Sequence, residues 1–151
     1  MRVPVPWVFV LGYLAGLGLQ ALIPMRAPSH TTRIAYWAGL ALVSIGVVLA
    51  LWCLSIFRRR HTTTVPFGQS RELITWGPYR LSRNPMYVSL TLIYVGETGI
   101  LAQMWPLVTL IAVILYVDGV VIPYEESRLR ETFGAAYDEY RGRVRRWIGR
   151  S

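Results

Sequence analysis

Two groups of residues in this sequence are of types and spacings that can do chemistry. The first is the run Gly77-Pro78-Tyr79-Arg80-Leu81-Ser82-Arg83-Asn84-Pro85-Met86-Tyr87. Asn84 before Pro85 predicts a helix start, with Asn as the N-cap and Pro at the first helical position. Such a start offers unpaired N–H groups and the positive end of the helix dipole, which suit a carboxylate or a phosphate. Arg80 and Arg83 add charge, and Tyr79 and Tyr87 add flat surfaces. The same residues read equally well as a capped helix whose Arg side chains meet lipid headgroups. The second group is the adjacent pair Glu125-Glu126, which follows a long apolar segment. Two carboxylates at a membrane surface need partners, and either a cationic ligand or Arg128, Arg130 or Arg83 provides one.

The elements that must position these groups are written in the composition. A length of 151 residues sets a single domain, 1–151, as the expectation. The chain is 54% hydrophobic and only 16% charged, with a positive mean hydropathy, a depletion of charge that points to lipid rather than water. The net charge is +8, and all 16 basic residues are Arg. They lie between apolar stretches and near the C-terminus, the pattern of a membrane protein and not of a nucleic-acid binder. Cys53 is the single cysteine and reads as a small buried hydrophobe. His30 falls in the first loop and His61 beside a triple-Arg run, where a headgroup contact is expected. Neither suggests a metal site.

Four apolar segments stand out: Val5–Ile23, Ile34–Phe57, Tyr87–Ala102 and Trp105–Pro123. The second, at 24 residues, is ~36 Å long and crosses with some tilt. The third is only ~24 Å and the fourth ~28 Å. Gln103 and Pro106 turn the third into the fourth, so the two form a hairpin. The first run is longer than a signal-peptide core and is read as a retained helix. Arg26 and Arg33 lie in the first loop, whereas the other fourteen Arg lie on the opposite side of a four-span chain. The expectation is N-in and C-in, with the 61–85 loop and the tail in the cytoplasm.

Gly12 and Gly16 form a GxxxG pair in the first segment, expected to pack within the bundle. After Pro123, Leu129, Phe133, Tyr137, Tyr140, Val144 and Trp147 recur at spacings of 4, 4, 3, 4 and 3, one face of an amphipathic helix broken near Gly134. The predicted fold is an all-α integral membrane protein of about four transmembrane helices plus a C-terminal amphipathic helical segment. Residues 1–57 would form an N-terminal helix pair.

Taken together, GPYR-x-x-RNPMY and EE-x-x-L-x-x-x-FG-x-x-Y-x-x-Y-x-x-x-V-x-R resemble the isoprenylcysteine carboxyl methyltransferases and their bacterial relatives. Leu73-Ile74-Thr75 fits the segment those proteins carry before the GPY turn. The resemblance spans about 71–147, half of the chain, and makes that stretch the expected cofactor-binding core. It implies methyl transfer from S-adenosylmethionine at the cytoplasmic face of a membrane, here a bacterial inner membrane, to a lipophilic or small thiol, carboxylate or amine acceptor. Carried over, Glu72, Leu73 and Ile74 would contact the adenosine through backbone groups. Gly77, Tyr79, Asn84, Pro85, Met86 and Tyr87 would line the cofactor, with Glu125 on its polar groups. Arg83, Glu125 and Glu126 would be the catalytic set. In-line displacement at a methyl carbon needs alignment more than acid–base chemistry, so no general base is named.

The sequence departs from the family in two places. Asn84 stands where the eukaryotic enzymes have His, as it does in many bacterial relatives. Val121 stands where the prenylcysteine enzymes have a substrate-binding Arg, which disfavours a prenylcysteine carboxylate as acceptor. Glu97 and Asp118 remain as acids inside apolar segments and are candidate substrate contacts, because an intramembrane carboxyl is costly without a task. The competing readings are an NADPH-binding membrane reductase related to the sterol reductases, and a non-enzymatic membrane subunit.

Overall fold

In a computed structural model, residues 5–25, 32–59 and 72–149 are described. Arg26, His30, Arg60, His61 and Arg71, together with the first part of the 61–85 loop, lie outside them. The described chain is helical: α1 (Val5–Leu22), α2 (Thr32–Arg59), a short 3-10 turn (Gly77–Arg80), α3 (Pro85–Leu101), α4 (Trp105–Tyr116), a π turn (Val117–Val121), α5 (Ile122–Phe133) and α6 (Ala135–Arg143). Three helices are long and apolar enough to cross a membrane: Val5–Leu22, Thr32–Arg58 and Trp105–Phe133. The expected third span, α3, has 17 residues and is shorter. It is also clasped by protein, α2 on one side and α1 with α4 on the other, so it does not face lipid alone.

Glycines set how close the helices come. A Cβ on Gly39 would lie 2.5 Å from the Gly96 carbonyl oxygen, and one on Gly96 would lie 2.6 Å from that of Gly39. Backbones at such range need small residues. Gly16 meets the Pro106 backbone in the same way, with Gly12 against Val113. The GxxxG pair therefore packs α1 on α4 within the bundle, as its sequence suggested. At the same end of the bundle, Trp105 Nε1 donates to the Ile23 carbonyl at 2.7 Å. Trp105→Phe should cost about 1 kcal/mol, measurable as a lowered unfolding midpoint in detergent.

Two apolar clusters hold the opposite end. Val5 and Phe9 of α1 meet Tyr87, Tyr94, Leu110, Val113, Val117, Val121 and Ile122. Cys53 and Ile56 of α2 meet Ile74, Tyr79, Tyr137, Tyr140 and Val144. The start of α1, the end of α2, the start of α3 and the start of α5 thus gather at one end of the bundle, where the polar groups are.

Three expectations change. The fourth segment does not stop at Pro123: it runs without a break from Trp105 to Phe133. A proline lacks an N–H and collides with the carbonyl four residues back. The π turn absorbs this, with Ile122 N–H donating to the Val117 carbonyl and Pro123 falling in the first turn of α5. The stripe beyond Gly134 is helical only to Arg143; Val144 is extended, with φ −130 and ψ 132. Residues 144–149 become a strap, because Arg83 N donates to Arg145 O and Gly149 N donates to Leu81 O, each at 2.9 Å. Finally, Asn84 occupies the N-cap position of α3 but its side chain does not cap. It donates to the Arg146 carbonyl at 3.0 Å instead. The expected break at Gly134, where φ is 51, is present.

Candidate functional site

The GPYR-x-x-RNPMY run folds as a tight turn leading into α3. Gly77 has φ 62, a conformation that favours glycine, and a Cβ there would press Ile56 at 3.3 Å. Pro78 and Tyr79 are buried beneath the turn. Tyr79 lies edge-on to Phe57, with ring centroids 6.1 Å apart, in the same buried cluster as Cys53. Its carbonyl accepts a 2.7 Å hydrogen bond from Tyr140. Burial pushes the Tyr140 phenol above its ordinary value. A phenol donates only while protonated, so this stabilisation is whole below the unfolded-state value of ~10 and is lost as pH rises through the higher folded value. Tyr140→Phe should cost about 1–2 kcal/mol at neutral pH and flatten the alkaline end of the stability profile, which thermal melts across pH will read.

Tyr87, buried in the first turn of α3, donates to Glu125 Oε1 at 2.7 Å. No ion pair to Glu125 occurs among the described residues. Its neighbour differs sharply. Glu126 meets Arg83 at 2.8 Å, with side-chain exposures of 14% and 10%, and Arg146 through two bonds at 3.0 and 2.9 Å. Arg83 also donates to the Tyr137 hydroxyl at 3.3 Å, while its buried Nε has no partner among the described residues. The two glutamates are thus divided. Glu126 is neutralised twice, and among the described residues Glu125 presents a carboxylate matched only by a phenol.

Of the partners the sequence offered to the glutamate pair, Arg83 is the one engaged; Arg130 pairs with Asp138 at 2.8 Å. Ile74 is buried in the cluster around Tyr79, and Met86 packs against it beside Leu73. Glu72 is exposed, and Pro85 is buried. Asp118 accepts from Trp147 Nε1 at 3.0 Å and lies 3.7 Å from Arg146. Glu97 stands apart from these residues, ~15 Å along α3 from Tyr87. It lies one turn beyond Tyr94, whose ring is edge-on to Tyr13 at 4.9 Å. Sequence reasoning had assigned no role to Ser82, Tyr137, Tyr140, Arg146 or Trp147. Tyr137, Tyr140 and Trp147 were visible as an apolar stripe, but their hydrogen bonds were not.

Comparison with known proteins bears on this arrangement. The family described as phospholipid methyltransferase matches residues 34–136. The chain belongs to that family. The match takes in nearly all of α2, the GPYR turn, α3, α4 and the glutamate pair, and it ends before Tyr137, Tyr140 and the strap. Among curated relatives, the probable protein-S-isoprenylcysteine O-methyltransferase of Oryza sativa subsp. indica is 33% identical over 115 residues, 72% of this chain and 60% of its own length. Protein-S-isoprenylcysteine O-methyltransferase B of Arabidopsis thaliana is 28% identical over 108 residues, 70% of this chain and 55% of its own. The chain therefore spans about 60% of the length of the rice relative. No solved structure matches it significantly. Within the family, the resemblance to the isoprenylcysteine methyltransferases read from the two motifs holds.

Proposed function

We propose that this chain is a membrane methyltransferase that uses S-adenosylmethionine and acts on a lipophilic or small thiol, carboxylate or amine acceptor. The observation that carries the proposal is the division of the two glutamates, within a chain of this family. Glu126 is spent on Arg83 and Arg146, whereas among the described residues Glu125 keeps a carboxylate with only the Tyr87 hydroxyl on it. The free half of that carboxylate suits an ammonium or a pair of ribose hydroxyls. The Nε of Arg83, without a partner among the described residues, suits a carboxylate. S-adenosylmethionine carries all of these groups and supplies a methyl bound to a sulfonium sulfur.

The roles of the residues follow from what each can hold. Tyr79, Asn84, Pro85, Met86 and Tyr87 form the start of α3 and its approach, a fixed wall for the donor, with Glu72, Leu73, Ile74 and Gly77 contributing backbone beside it. Arg83 and Glu126 hold each other in a low-exposure pair that orders this wall. Glu125 and the tyrosine rings favour positive charge near the transferring group. Such a site works by alignment rather than proton transfer. Glu97 and Asp118 are assigned to the acceptor side. The relatives' names make an isoprenylcysteine the first acceptor to test, but Val121 is packed in the apolar core and gives no cation for its carboxylate. The fourteen-to-two Arg asymmetry supports a topology with both ends and the site on the cytoplasmic side of a bacterial inner membrane.

Titration calorimetry of the detergent-purified chain with S-adenosylmethionine, S-adenosylhomocysteine and NADPH tests the proposal. Binding of the first two and not the third is expected. Binding of NADPH alone would indicate a reductase, and binding of none would indicate a non-enzymatic subunit; either overturns the proposal.

A further inference from the structure

Arg146, on the strap that follows α6, joins the three places from which the site's side chains project. Its Nε and Nη2 grip both oxygens of Glu126 at 3.0 and 2.9 Å, a forked geometry that fixes orientation as well as charge. Its Nη1 reaches Asp118, in the π turn, at 3.7 Å. Its carbonyl accepts from Ser82 Oγ and from Asn84 Nδ2, each at 3.0 Å. The neighbouring strap residues reinforce the hold: Arg145 O accepts from Arg83 N at 2.9 Å, and Trp147 Nε1 donates to Asp118 at 3.0 Å. Glu126 in turn holds Arg83 at 2.8 Å.

We propose that Arg146 is a positioning residue for the methyl donor: its side chain sets Glu126 and, through it, the guanidinium of Arg83, while its carbonyl fixes Asn84 at the head of α3. The inference rests on the proposed function and adds to it a residue that need not touch donor or acceptor. The chemistry specifies Arg. A lysine is a single point charge that cannot fork Glu126 while reaching Asp118. Removing the side chain leaves Glu126 paired with Arg83, so the fold should survive while the aim of Arg83 is lost.

The test is S-adenosylhomocysteine affinity and melting temperature for the full chain and its R146Q, R146K, E126Q and E126Q/R146Q variants. R146Q should bind about tenfold more weakly while melting near the unsubstituted chain, with R146K in between. In the E126Q background, R146Q should add less than about a twofold loss, because the route through Glu126 is already cut. Unchanged affinity in R146Q overturns the inference, as do losses that multiply fully in the double variant. A large drop in melting temperature with unchanged affinity of the folded fraction marks a scaffold role and overturns it as well. No binding by the unsubstituted chain overturns the proposed function and this inference with it.

Discussion

Glu125→Gln should reduce affinity for S-adenosylhomocysteine by about 10-fold to 150-fold while leaving the protein folded. The substitution keeps the shape of the side chain and removes its charge. A hydrogen bond to a charged group contributes roughly 1.5–3 kcal/mol, which sets that range. Stability should change little, since Glu125 has one hydrogen bond, from Tyr87, and no ion pair among the described residues. Tyr87→Phe removes the 2.7 Å bond that orients the carboxylate and should weaken binding less, by several-fold. The contrast with Glu126 is informative. Truncating one member of a low-exposure pair leaves the other charge poorly compensated, at a cost below the roughly 3–5 kcal/mol of a fully buried pair, so Glu126→Ala should lower the melting temperature where Glu125→Gln does not. Calorimetry and thermal melts on the same preparations read both effects.

Gly96→Val should strongly destabilise the bundle. A Cβ at this position would lie 2.6 Å from the Gly39 carbonyl oxygen, 2.7 Å from a Val43 methyl and 2.9 Å from the Val43 amide nitrogen. Two of those three atoms are backbone and cannot rotate away. α2 and α3 would have to separate along the contact that buries α3. Overpacking of this kind costs ~1–3 kcal/mol or more, and the added branches of Val place it at the upper end. Gly18→Val is the control, because a Cβ there meets nothing within 4 Å among the described residues. Size-exclusion profiles in detergent should show a single folded species for Gly18→Val and aggregate for Gly96→Val. A folded Gly96→Val protein with an unchanged melting temperature would mean that the helices do not approach this closely.

Much of this architecture is legible in the sequence because lipid simplifies the problem. Long apolar runs must be helices, so α1, α2 and α4 could be read from composition and length. The polar end was legible for a second reason: Arg83, Tyr87 and the glutamate pair are costly there without partners, and they partner one another. What escaped depended on backbone detail. Pro123 was read as a stop because proline usually ends a helix, and no sequence signal announced that a π turn ending two residues earlier would carry the chain past it. Asn84 was read as a side-chain cap, but a strap from more than sixty residues away claims its amide. Trp147 keeps the helical spacing of the stripe yet leaves the helix and hydrogen-bonds to Asp118, because pairing with the Leu81–Arg83 turn satisfies the backbone of the strap in place of helix bonds. Arg146 was visible as part of a motif, whereas its grip on Glu126 depends on that same non-helical path.

The measurement that tests the central claim most directly is ultraviolet crosslinking of isotopically labelled S-adenosylmethionine to the purified protein, followed by peptide mapping. Label is expected in peptides spanning 72–87 and 122–126, displaced by excess S-adenosylhomocysteine and lost in Glu125→Gln. Label confined to the other end of the bundle, around 98–109, or label that excess S-adenosylhomocysteine does not displace, would contradict it.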